Sequence, residues 1–164
     1  MATLDPDERA LIAAEADADI GLRLGLLALR RLENGGPQRE IRGEMDRPRF
    51  TGGEFGVQAL AAPTFPAQLR IAAASFRAAE KRFNAVALAQ ARKPEAGETA
   101  RRESGLYTEA FLRAFSIRYA PPKDDPRNRV HAGLLVQIYR EEVVAWRRGP
   151  GPPGGGAAAA REAA

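Results

Sequence analysis

His131 is the only histidine in the chain, beside Leu135, Ile138 and Glu142 on one side of an apolar-periodic segment. An imidazole can act as general base, metal ligand or structural hydrogen-bond partner. A general base needs a nucleophile within reach, and Ser75, Ser104 and Ser116 lie in no elbow or other nucleophile motif. A zinc site needs further histidines or cysteines, and the chain has none. The sequence therefore predicts a partly buried structural histidine.

The carboxylates fare no better as catalysts. Glu141 and Glu142 are adjacent, and neighbours on a helix point about 100° apart, so they should not share a proton. Asp124-Asp125-Pro126 reads as turn and capping chemistry. Glu15, Asp17 and Asp19 point in different directions. None of Lys81, Lys93 and Lys123 stands in the glycine spacing of a phosphate loop. With no cysteine, disulfides, thiolate metal sites and cysteine nucleophiles are excluded. No cofactor and no enzymatic activity are expected; a small enzyme with an unfamiliar site is the outlying alternative.

One basic constellation survives. Arg70, Arg77, Lys81 and Arg92 fall on one stripe of a helix whose residues 67–93 hold six bases and one acid, Glu80. Such a stripe could meet phosphates or acidic protein, or be neutralised by this chain's own acids. Residues 1–33 carry seven acids and four bases, and the remainder 14 acids and 21 bases, so an acidic partner within the chain is available.

Four helices must position these groups. Hydrophobic residues make up 45% of the 164, enough for one globular domain with a sizeable core. Asp5-Pro6-Asp7-Glu8 is a helix start, and Asn34-Gly35-Gly36 a stop, giving a first helix over 6–33. Leu11, Ala18, Leu22, Gly25, Leu29 and Leu32 form one stripe; Ile12, Ile20, Leu24 and Leu27 form a second. A helix apolar on two faces is buried centrally or meets another subunit. Small residues at Ala14, Ala18, Gly21 and Gly25 invite close approach.

A second helix over 67–92 presents the seam Leu69, Ala72, Phe76, Ala79, Phe83, Val86. A third, over 98–119 with Gly105 able to split off its first turns, carries a ladder of Tyr107, Phe111, Phe115 and Tyr119. Steps of four residues drift by about 40° each, so the rings cover roughly a third of the helix circumference, the width of a core-facing stripe. Glu109 and Arg113 lie opposite as an ion pair. The ladder reads as core and not as a stacking platform, shared with Phe76, Phe83, Leu135 and Ile138. A fourth helix spans 128–148.

The fold class expected is all-α: one helical domain over 1–149, with a Gly/Pro/Arg-rich arm at 34–65 and a flexible Gly/Pro/Ala tail at 150–164. Gly52-Gly53 between Phe50 and Phe55 suggests a short hairpin in the arm. A free arm of this composition would expose Phe50, Phe55 and Val57 to water, which soluble monomers limit. The expectation is a structural subunit of a larger assembly, docking on neighbouring subunits through its arm and tail, with Phe50, Phe55, Val57, Arg47 and Arg49 at the interface together with Ile20, Leu24 and Leu27. A bacteriophage-type virion connector, an oligomeric ring of helical bodies and arms, is the architectural analogy. The alternative is an accessory protein contacting nucleic-acid backbone through Arg70, Arg77, Lys81 and Arg92. The acidic N-terminus is unlike a secretory signal, so a soluble protein, cytoplasmic or in a virion, is expected.

Overall fold

The computed structural model describes residues 4, 6–33, 55, 64–90 and 99–149. Over these the chain is helical, with five α-helices and no strand. They are α1 (Pro6–Ala16), α2 (Ile20–Glu33), α3 (Phe65–Gln90), α4 (Glu109–Tyr119) and α5 (His131–Arg148), with a 3-10 helix at Pro126–Val130 before α5. The suggested hairpin and the tail lie outside the described residues. No described helix is long and apolar enough to cross a membrane.

The expected first helix is two. Asp17 takes a left-handed φ of 53°, which a short polar side chain tolerates better than most. Asp19 then restarts the helix, its Oδ1 accepting the Leu22 amide at 3.0 Å as an N-cap. The apolar pattern runs through the break, so periodicity alone hides it.

α2 is the central element, packed against α1, α3 and α5. Gly21, Leu22 and every residue from Leu24 to Arg30 are buried. Its two apolar faces thus meet elements of its own chain, and Leu24 and Leu27 present no surface to another subunit. Ile20 is half-buried and packs on the same core. Of these three expected interface residues Leu24 and Leu27 are core residues, because three helices surround α2, and Ile20 borders the core.

α3 begins on Thr64, whose Oγ1 accepts the Ala67 amide at 3.3 Å. Its seam of Leu69, Ala72, Phe76 and Ala79 is buried and Phe83 is half-buried, but Val86 is exposed.

The expected third helix starts late. Arg101 and Tyr107 form an antiparallel bridge around a turn in which Gly105 takes φ +83°, and Thr108 caps α4 by accepting the Phe111 amide at 3.3 Å. Tyr107 therefore precedes the helix. Its ring still joins the core: Phe76 stacks on Phe115 at 4.0 Å between centroids and on Tyr107 at 5.6 Å. Phe111 meets Phe83 edge-on at 5.7 Å. Phe111, Phe115, Leu135 and Ile138 are all buried. The ladder is core.

Candidate functional site

Four polar constellations can be examined for chemistry, and the first centres on His131. It sits at the first residue of α5, with Nδ1 2.6 Å from Ser116 Oγ and Nε2 2.8 Å from Glu33 Oε1. In the neutral ring, Ser116 Oγ–H donates to Nδ1 and Nε2–H donates to Glu33. Serine, imidazole and carboxylate thus stand in relay order, as in a nucleophilic triad. The setting differs from one. Ser116 lies within α4 facing the core and is 1% exposed, so Oγ meets no substrate from solvent. The relay instead joins the end of α2, the start of α5 and the side of α4. Beside it, Tyr119 donates its hydroxyl to the Phe55 carbonyl, and burial, with Glu33 nearby, pushes its pKa above the ordinary range.

The second constellation surrounds Arg101. Its guanidinium donates to Asp19 at 2.6 and 2.8 Å, to Glu80 at 2.8 and 3.0 Å, and to the Gly105 carbonyl at 2.9 Å. It also lies 4.4 Å from the centroid of the Tyr107 ring. Burial opposes the Arg101 charge, but the hydrogen bonds to Asp19 and Glu80 prevail and raise its pKa. The Arg101 hydrogen bond is also the main cause holding Asp19 below its ordinary value, against partial burial. Tyr139 completes the group: its hydroxyl accepts the Tyr107 amide at 2.9 Å, and burial pushes its pKa up to about 12. This cluster fastens the α1–α2 turn, α3 and the 101–107 turn together. Gly21 permits it, since a Cβ there would sit 2.3 Å from the Gly105 carbonyl oxygen.

The third is a buried ion pair. Arg30 Nη2 donates to Glu8 Oε1 at 2.7 Å. The guanidinium carbon lies 5.3 Å from the Phe65 ring centroid and 6.0 Å from that of Phe55. Phe55 is itself fully buried here. The arm residue expected to dock on a neighbour is thus held by its own chain, through Tyr119, Phe65 and Arg30. Phe50, Val57, Arg47 and Arg49 lie outside the described residues.

The fourth is the α3 stripe. Arg70, Arg77 and Lys81 are exposed, as is Arg82 beside them, and Arg92 lies outside the described residues. Arg77 is neutralised internally: Nη1 lies 3.8 Å from Glu15 Oε1, and Nη2 donates to the Glu15 carbonyl at 3.3 Å. Glu80, the only acid on α3, turns instead to Arg101. Arg70, Lys81 and Arg82 have no ion pair among the described residues. Leu88, 76% exposed, continues the stripe of Arg70, Arg77 and Lys81, while the exposed Ile71 and Val86 lie on the flank of α3 that carries Arg82. Between α3 and α4 runs an open groove of about 500 Å³, its wall carrying Ala74, Ala78 and Phe115, with Arg82 and Arg118 beside them.

Among the described residues no three ligand-forming side chains converge to hold a metal ion. Sequence reasoning missed Arg101, whose partners Glu80 and Asp19 lie 21 and 82 residues away, and the Glu33 partner of His131, 98 residues away. No protein-family model matches the chain, and neither a curated protein nor a solved structure matches it.

Proposed function

We propose that this chain is a non-enzymatic assembly subunit that docks on further protein subunits, copies of itself included, through the outer face of α3. The observation that carries this reading is the exposure of Leu88, 76% open to water, on the same stripe of α3 as the exposed Arg70 and Lys81. Large apolar side chains at such exposure gain free energy when a partner covers them, roughly 25 cal/mol for each Å² removed from water. The cations beside them select an acidic surface and steer its approach. A ring subunit of the connector kind would meet its neighbours through a face of this type.

A second reading rests on the same cations, which could lie along a nucleic-acid backbone. That mode is electrostatic, and its affinity falls steeply with salt. Two paired substitutions separate the readings: Val86→Glu with Leu88→Glu, and Arg70→Glu with Lys81→Glu. Docking on protein predicts that both pairs lower the oligomeric mass in solution. Backbone binding predicts that only the arginine–lysine pair matters, and only for retention of a mixed-sequence DNA duplex at low salt. If neither pair changes either quantity, the α3 face is inert and the proposal fails.

A further inference from the structure

The surface between α4 and α5 holds a recess of about 350 Å³, smaller than the groove beside α3. Its floor is apolar: Leu106, Leu112, Val136, Val143 and Val144, with the ring of Tyr139. Arg102, Arg140 and Arg147 also line it, with Glu109 as the single acid. That acid is already engaged. Glu109 binds Arg140 and its helical neighbour Arg113. Arg102 and Arg147 are exposed and have no ion pair among the described residues.

A recess at the lower end of the volume range of small-molecule sites, part aliphatic and part cationic, with two unneutralised guanidinium groups, is complementary to one ligand shape. The shape is a compact aliphatic body ending in an anion. Guanidinium matches carboxylate in bidentate geometry, and the aliphatic body covers the valine and leucine floor. We propose that the α4–α5 recess binds a small aliphatic carboxylate, its chain on Val136, Val143 and Val144 and its head on Arg102 and Arg147. This site is separate from the α3 docking face and stands without it.

Calorimetric titration of the intact chain with octanoate tests the proposal, with octanol as the uncharged control. Saturable one-to-one binding of octanoate, much tighter than that of octanol, is the result expected. The double variant Arg102→Gln with Arg147→Gln should weaken octanoate by about tenfold or more while leaving octanol unchanged, since charge-assisted hydrogen bonds are lost. Val144→Glu should abolish octanoate binding by placing a like charge in the recess; Val144 is 46% exposed, so the fold tolerates the change. The octanoate–octanol comparison on the unaltered chain needs no variant to fold. Absence of saturable octanoate binding, equal affinity for octanol, or equal octanoate affinity in the arginine variant overturns the assignment.

Discussion

The Arg101 guanidinium holds the Asp19 carboxylate in two hydrogen bonds, of 2.6 and 2.8 Å, across 82 residues of sequence. The same group binds Glu80 and closes three elements on one another. Removing it leaves two carboxylates facing one another without their cation. Arg101→Ala should therefore lower stability by about 3 kcal/mol, the lower end for breaking a pair of this kind, since the site is partly open to water. Equilibrium unfolding in urea measures it. A loss under about 0.5 kcal/mol, the range of ordinary surface substitutions, contradicts the role assigned to Arg101.

The pair also sets an acid dependence. The Arg101 hydrogen bond holds the Asp19 pKa below its ordinary value. A depressed folded-state pKa contributes stability that is complete above the unfolded value of about 3.9 and is lost as pH falls through the lower folded value. Asp19→Asn should cost stability at neutral pH, and its deficit against the unaltered chain should shrink as pH drops below about 4. A deficit constant from neutral to strongly acid solution shows that the carboxylate charge is not what matters.

Two glycines should respond in opposite senses. A Cβ at Gly21 meets the Gly105 backbone at 2.3 Å, so Gly21→Ala forces the Arg101 turn away from α2 and should cost about 3 kcal/mol. At Gly133, in α5, a Cβ meets nothing within 4 Å. Gly133→Ala should stabilise by about 0.5–1 kcal/mol, through the lower entropy of the unfolded chain. Thermal unfolding of both proteins decides the matter, and equal shifts sink the argument.

Burial of the aromatic ladder makes a further demand. Phe111→Ala removes a ring that touches Phe76, Phe83, Tyr107 and Phe115, and should cost roughly 3–5 kcal/mol. A near-neutral thermal shift is incompatible with the ring's place in the core.

How much of this was legible in the sequence depended on the range of the signal. Local punctuation worked: Pro6 opens a helix and Glu33, before Asn34-Gly35-Gly36, closes one, because caps and breakers act on their own turn. The ladder's role followed from its arc and from the Glu109–Arg113 pair opposite. The break at Asp17 did not, since the apolar period continues across it. Tyr107 sits on the ladder by spacing but in a turn by structure, because Gly105 reverses the chain just before it and Thr108 caps the helix just after it. The polar clusters were least legible. Arg101 finds Asp19, and His131 finds Glu33, only after folding, and no spacing rule encodes a pair so far apart. Phe55 was recognised as needing cover, but only the fold shows that Tyr119, Phe65 and Arg30 supply it.

The central claim is that the α3 outer face joins protein subunits. Sedimentation velocity of the intact chain, over a wide concentration range and at low and moderate salt, tests it most directly. The account predicts a mass that rises with concentration to a defined multiple of the single chain, and that returns to the single chain with Leu88→Glu. A strict monomer at every concentration and salt, or an oligomer that Leu88→Glu leaves intact, would contradict it.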